Sequence, residues 1–173
     1  MPELIPVLNS ATIAQRVADV ARQISNDYKD ADLVMIGVLK GAFVFLADLI
    51  RHIDLDRFAI DFVRVASYGD RIDTSGRIQM SKDIEVDASG KDLLIVEDIL
   101  DSGLTLSHLI QHFEQYKPRS IKICALIDKR ERRQIDIPVD YVCHTVSKGF
   151  LVGYGLDYAE AYRNLPEVYD LKL

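Results

Sequence analysis

LLIVEDILDSGLTL, residues 93–106, is the stretch on which the fold turns. Leu93, Leu94, Ile95 and Val96 make an unbroken apolar run, the composition of a strand buried on both faces. Glu97 and Asp98 then stand back to back, and Asp101-Ser102-Gly103-Leu104-Thr105 follows. Beyond it Leu106, Leu109, Ile110, Phe113 and Tyr116 recur at helical spacing. The segment therefore reads as strand, turn and helix, the helix running to about Tyr116.

The turn carries chemistry. A helix start leaves backbone N–H groups unpaired and has positive dipole character. Gly103 lets the backbone approach a ligand closely, and the Ser102 and Thr105 hydroxyls can donate, which together make a phosphate cup. It is not a Walker A loop, since no G-x-x-x-x-G-K-[ST] occurs. Asp-Ser-Gly is also a common turn and helix cap, and the acids before it decide between the two readings. Carboxylates at a strand end are costly without partners, and sugar hydroxyls or Mg²⁺ would supply them. Adjacent strand residues point to opposite faces, so Glu97 and Asp98 need not share one role. A sugar phosphate would span the site, with its phosphate on the loop and its diol on the acids. Asp101 would then be free for proton transfer.

Outward from this motif the same grammar repeats. DLVMIGVL (residues 32–39), FAIDFVRVASY (58–68), SIKICALID (120–128) and VDYVCHTV (139–146) read as strands, and FLVGYGLDY (150–158) contains a short one. Thr12-Ile13-Ala14-Gln15 fits a capping box, with Ile13, Val17, Val20 and Ile24 at helical spacing behind it. AFVFLADLIRHI (42–53) is a helix apolar on two sides: Phe43, Leu46, Ile50 and Ile53 form one stripe, and Phe45 and Leu49 add another. Such a helix is buried deep in the core or covered twice, by the core and by a second subunit. Gly69 to Asp92 is long, polar and Gly- and Ser-containing, which suits a lid; a local hairpin around Ile78 to Val86 is an option within it. Apolar strands alternating with helices give an α/β fold, a mainly parallel twisted sheet flanked by helices. In such sheets ligands bind beyond the carboxyl ends of the strands. Lys40-Gly41, Glu97 to Thr105 and Asp128-Lys129-Arg130 fall at those ends.

The bulk numbers set bounds. A chain of 173 residues suits one domain, with 49% hydrophobic and 28% charged residues, as in a globular protein. The net charge of −6 argues against a partner held by a general basic surface, so nucleic acid is not expected. Cys124 and Cys143 lie in apolar strand segments and read as reduced core thiols, pointing to the cytoplasm. MPELIPVLNS has no basic or apolar leader region, and no run approaches about 18 apolar residues, so neither a secretion signal nor a membrane span is expected.

VEDILDSGLTL resembles the phosphoribosyl-pyrophosphate (PRPP) signature of type I phosphoribosyltransferases. The order of Lys40-Gly41, Ser67-Tyr68-Gly69, LIDKR and FLVGYGLDYAEAYRNLP is similar to that of the hypoxanthine-guanine subfamily over most of the chain. The resemblance implies a single domain over residues 1–173. A flexible active-site loop would occupy about 67–90, and the N- and C-terminal segments would form a small hood. It also implies salvage of a 6-oxopurine, with transfer of the 5-phosphoribosyl group of PRPP to N9 and Mg²⁺ as cofactor. Glu97 and Asp98 would hold the ribose hydroxyls and help with Mg²⁺. Asp101 would exchange a proton with purine N7, and Ser102, Gly103, Leu104 and Thr105 would bind the 5′-phosphate. Lys40 and Gly41 would bind pyrophosphate, with a non-proline cis peptide at their bond, and Arg163 would reach it too. Lys129 would contact the purine O6, Phe150 would stack on the base, Leu151 would offer it backbone contacts, and Asp157 would bind Mg²⁺ beside it. Ser67 and Tyr68 would close as a lid. A homo-oligomer, dimer or tetramer, is expected.

One span departs from the pattern. The family commonly reads Ile-Pro-Asp-Lys/Glu-Phe where this chain has Val146-Ser147-Lys148-Gly149-Phe150, so purine preference is the expectation this segment bears on most. Three other features read as non-functional. His108 and His112 stand at i and i+4 but face away from the helix stripe, DKRERRQ (residues 128–134) reads as a solvated loop apart from Lys129, and Tyr154 reads as packing. Competing readings are a transferase preferring xanthine or adenine, a PRPP-binding regulator and a signalling receiver domain. Lys129 only donates and so argues against adenine. The acidic charge argues against the regulator. Lys40-Gly41, standing where a receiver has acids, argues against the last.

Overall fold

The structure, a computed structural model, describes residues 1–66 and 79–173. Its order is β1 (Glu3–Leu8), α1 (Ser10–Asp27), β2 (Leu33–Leu39), α2 (Phe43–Ile50), β3 (Ala59–Val65), β4 (Met80–Lys82), β5 (Asp92–Leu100), α3 (Leu104–Glu114), β6 (Ser120–Lys129), β7 (Tyr141–Val146), β8 (Leu151–Val152) and β9 (Val168–Lys172). Six strands form one sheet in the order β4-β3-β2-β5-β6-β7. All its pairings are parallel except that of β4 with β3.

Alternation along the apolar strands separates two cores. Met35, Leu94, Val96, Cys124 and Leu126 pack with Ile13, Val17 and Ile24 of α1 and with Phe45, Leu46 and Leu49 of α2. Val34, Ile36, Leu93, Ile95, Ile123 and Ala125 pack on the other face with Leu106, Leu109 and Phe113 of α3. A sheet covered on both faces needs apolar residues at every strand position, which is why these strands show no polar alternation. Both cysteines are free and buried. No helix among the described residues is long and apolar enough to cross a membrane.

β2 is followed in space by β3 on one side and by β5 on the other, so the strand order reverses between β2 and β5. That reversal is where a parallel sheet opens a crevice for a ligand. The second sheet, antiparallel in the order β1-β9-β8, is the hood expected from the two ends of the chain.

Four local expectations are corrected. The α1 cap is Asn9, whose side chain accepts from the Thr12 N–H at 2.8 Å, so the helix starts before the Thr12 box; asparagine is among the strongest caps. α2 stops at Ile50 instead of Ile53. His52 and Ile53 donate back three residues, to the Leu49 and Ile50 carbonyls, and the Asp54 N–H donates to Ser25 Oγ of α1 at 2.9 Å, turning the chain away. Of the hairpin considered around Ile78 to Val86, Ile78 lies outside the described residues, and the described part, Gln79 to Val86, forms no hairpin of its own. Met80–Lys82 pairs with β3 instead, because Asp61 of β3 accepts the Glu85 and Val86 N–H groups at 2.7 and 3.0 Å and draws that segment alongside. The cis peptide lies at Leu39–Lys40, one bond before Lys40–Gly41. Of the expected lid, Ser67 and Tyr68 lie outside the described residues.

Candidate active site

A cleft of about 400 Å³ opens at the β2/β5 switch point. It is lined by Lys40 and Gly41 after β2, by Glu97 to Gly103 and Thr105, and by Asp157, Glu160 and Arg163 from the loop before the last strand. Lys40-Gly41, the Glu97 to Thr105 turn and the segment with Asp157 and Arg163, far apart along the chain, therefore share one cavity.

Glu97 and Asp98 do not divide between two faces. Both line the cleft, and the Asp98 N–H donates to Glu97 Oε1 at 3.1 Å. β5 ends here, and its last residues turn both side chains inward. Burial pushes the Glu97 carboxyl well above the usual carboxylate range, and the neighbouring Asp98 charge adds to the shift. Burial raises Asp98 as well. Opposite charge or hydroxyl donors placed beside the pair would offset that burial. Gly41 is the residue that lets Asp98 sit there, because a Cβ at Gly41 would stand 1.8 Å from Asp98 Oδ2.

The Ser102 to Thr105 turn follows at once. Gly103 has φ +85° and a Cβ on it would meet the Ile135 carbonyl oxygen at 2.5 Å, so this position demands glycine twice over. The Ser102 carbonyl accepts from the Gln134 and Ile135 N–H groups at 2.9 and 3.0 Å. With that carbonyl tied back, the start of α3 and Thr105 border the cleft, where unpaired first-turn amides suit an anion.

Arg133 was not legible in the sequence, where DKRERRQ reads as a solvated loop, and the structure corrects that reading. Its side chain is only 12% exposed. Its guanidinium donates to the Asp101 carbonyl at 2.8 Å, the Leu100 carbonyl at 3.3 Å, the Lys129 carbonyl at 3.1 Å and Asp128 Oδ1 at 2.5 Å. Five donors in a rigid fork allow this where a lysine could not. The clamp fixes the ends of β5 and β6 together and so sets Asp101 against Lys129. Lys129 Nζ lies 3.7 Å from Asp101 Oδ2, and Lys129 is buried. Asp101 Oδ1 is buried with no hydrogen-bond partner among the described residues, the condition of an acceptor kept for a ligand.

The hood supplies the far edge. Phe150 is 43% exposed and meets Tyr158 edge to face at 5.5 Å. Leu151 is buried in β8. Lys129, Phe150 and Leu151 do not line the 400 Å³ cleft itself; Lys129 connects to it through Asp101. The departure at Gly149 has a structural reason. Gly149 has φ +122°, and a Cβ there would come within 3.1–3.2 Å of the Asp170 carboxylate. That carboxylate accepts the Phe150 N–H at 2.9 Å, which sets the ring's backbone. Asp170 was also missed, since an acid in a terminal strand gives no signal in sequence.

Two non-functional readings also change. Tyr154 is buried as expected, but its hydroxyl donates to Asp48 of α2 and ties hood to core. His112 is not turned to solvent: its Nε2 lies 2.7 Å from Asp83 Oδ2, which also accepts from the Tyr116 hydroxyl at 2.5 Å.

The comparisons with known proteins point the same way as this geometry. A family model for the phosphoribosyl transferase domain matches residues 7–159. The hypoxanthine-guanine phosphoribosyltransferase of Bacillus subtilis (strain 168) is 46% identical over 166 residues, covering 96% of this chain and 92% of that protein. The hypoxanthine phosphoribosyltransferase of Salmonella typhimurium is 43% identical over 164 residues, covering 94% and 92%. Among solved structures, a hypoxanthine-guanine phosphoribosyltransferase from Bacillus anthracis matches with a TM-score of 0.90 at 42% identity, covering 99% of this chain and all of that one.

Proposed function

The chain belongs to the phosphoribosyltransferase family, and on that premise we propose how its cleft transfers the 5-phosphoribosyl group of PRPP to a purine. The reaction is purine salvage: N9 of hypoxanthine or guanine displaces pyrophosphate from C1 of the ribose, giving IMP or GMP. The C1–oxygen bond to pyrophosphate breaks, the C1–N9 bond forms, and the proton on N7 passes to Asp101. The observation that carries this assignment is Asp101 itself, with Oδ1 buried and without a partner among the described residues and Oδ2 3.7 Å from Lys129 Nζ.

The other roles are those the resemblance to the family implies, and the residue types suit them. The amides and hydroxyls of Ser102 to Thr105 hold the 5′-phosphate. Glu97 and Asp98 accept from the ribose 2′ and 3′ hydroxyls and oppose the positive charge that grows on the ring as pyrophosphate leaves. Lys40 and Arg163 neutralise the leaving group. Lys129 donates to the purine O6, which selects a 6-oxo acceptor over the 6-amino group of adenine. Phe150 stacks on the base, Leu151 meets it with backbone, and Ser67 and Tyr68 close over it.

The family generally uses Mg²⁺ with PRPP. The oxygens of Glu97, Asp98 and Asp157 are hard donors that suit this ion, and all three residues line the cleft. Among the described residues no three such groups are already gathered into a metal site, so the substrate's own oxygens would complete the shell. When bound, Mg²⁺ withdraws charge from the leaving pyrophosphate. We place the enzyme in the cytoplasm as a homo-oligomer, with the exposed Phe43 face of α2 as a contact.

Calorimetric titration of PRPP with Mg²⁺ into the protein and into Asp98→Asn tests the site. Saturable binding that weakens at least tenfold in the variant supports it; no binding to the unaltered protein refutes it.

A further inference from the structure

Glu160 stands among the cleft's cations, and nothing in the transfer reaction described above uses it. It lies in the loop between Asp157 and Arg163 that closes one wall of the cleft. Its Oε2 is 2.9 Å from Lys40 Nζ and its Oε1 is 3.2 Å from Arg163 Nη2. One carboxylate thus bridges two cations that come from opposite sides of the site, Lys40 from the end of β2 and Arg163 from the hood side. The loop is shaped to hold it there. Ala159, Glu160 and Tyr162 have φ of 50°, 67° and 77°, a backbone region that side-chain-bearing residues rarely occupy. The Glu160 N–H donates to Asp157 Oδ2 at 2.9 Å, and Arg163 Nη1 donates to the Gly155 carbonyl at 2.7 Å, closing the turn. Non-glycine residues held in this region tend to mark functional turns.

A dianionic or tetra-anionic ligand with oxygens on two linked phosphates would make the same pair of contacts. Glu160 copies that pattern with one oxygen for each cation. Its side chain is 64% exposed and Lys40 is 45% exposed, so these pairs are weak and exchange readily. We propose that Glu160 is a displaceable internal counter-ion, which holds Lys40 and Arg163 apart and poised in the ligand-free enzyme and gives both up when pyrophosphate enters.

The inference rests on the assignment of Lys40 and Arg163 to pyrophosphate. It has a kinetic consequence. A carboxylate waiting beside the two cations competes with pyrophosphate for them and repels it, so it lowers affinity for the product and speeds its departure. Product release is rate-limiting in many enzymes, and such a residue raises turnover without touching the reacting atoms. Glu160 is therefore a positioning residue and not a catalytic one.

Glu160→Gln keeps the size and one acceptor oxygen but removes the charge. Pyrophosphate affinity, measured by calorimetry with Mg²⁺, is expected to rise roughly three- to tenfold, the scale of two exposed ion pairs. KM for PRPP falls in parallel, and kcat falls because release slows. Glu160→Asp, which keeps the charge, returns pyrophosphate affinity toward that of the unaltered enzyme. The gap between the unaltered enzyme and Glu160→Gln narrows at high salt. Unchanged or weaker pyrophosphate binding by Glu160→Gln overturns the inference while leaving the site assignment standing. Failure of the unaltered enzyme to bind pyrophosphate overturns the site assignment and the inference with it.

Discussion

Asp101 and Lys129 owe their juxtaposition to a residue that touches neither side chain. Arg133 grips the backbone carbonyls of both, together with that of Leu100. Two outcomes follow at this scale. Asp101→Asn removes the proton acceptor but preserves shape, so kcat should fall by about 10²–10⁴-fold while PRPP affinity in calorimetry stays nearly unchanged. Retention of full rate would show that the N7 proton goes elsewhere. Arg133→Lys keeps the charge and loses the fork, so kcat/KM for the purine should fall on the order of 10²-fold through misplacement of the reacting groups. Its thermal midpoint should shift by far less than that loss implies. The acids and the Ser102 to Thr105 turn were legible because each residue type states its chemistry at a strand end, whereas Lys129 stood out only through the family resemblance. Arg133 and Asp170 were not, because each acts on backbone groups, and backbone partners leave no mark in sequence.

Elements carry their own tests. The left-handed Gly103 both shapes the cup and clears the Ile135 carbonyl. Gly103→Ala should therefore destabilise the fold by about 1–3 kcal/mol and raise KM for PRPP, read by thermal unfolding and by initial rates. The stem where β4 joins β3 depends on Asp61. Burial by itself would raise this carboxyl, but N–H donors from Val86, Glu85 and Phe62 and the nearby Lys82 hold it below its usual value. A carboxyl depressed in the folded state stabilises fully above the unfolded pKa of about 3.9 and loses that contribution as pH falls through the lower folded value. Asp61→Asn should cost about 1–3 kcal/mol near neutral pH, and the gap in unfolding midpoint between it and the unaltered protein should close below about pH 4. A constant gap down to acid would mean the charge is irrelevant. Long apolar strands and the α3 stripe were legible in sequence because burial on two faces excludes polar residues. The α1 cap, the α2 end and the β3–β4 pairing were not, because each is settled by the hydrogen bonding of one side chain: Asn9 with Thr12, Ser25 with Asp54, and Asp61 with Glu85 and Val86.

At the scale of the molecule, the sheet brings the β2 end, the β5 end and the 157–163 loop to one crevice at its switch point. The hood carries Phe150 and Leu151, which do not line that crevice. Its strands β1 and β9 carry little periodicity, and pairing, of β1 with β9 and of β9 with β8, gives them shape. α2 leaves Phe43 48% exposed beside a groove lined by Ile13, Val44, Leu165 and Pro166. Phe43→Asp should convert an oligomer to a smaller species in sedimentation velocity without unfolding the chain; an unchanged sedimentation coefficient would place the interface elsewhere. The central claim is that this crevice joins a phosphoribosyl group to a 6-oxopurine. The most direct measurement is product absorbance when the protein is given PRPP, Mg²⁺ and each of hypoxanthine, guanine, xanthine and adenine. Nucleotide should form with hypoxanthine or guanine and not with adenine; no turnover with any of the four bases, or turnover with adenine alone, would contradict it.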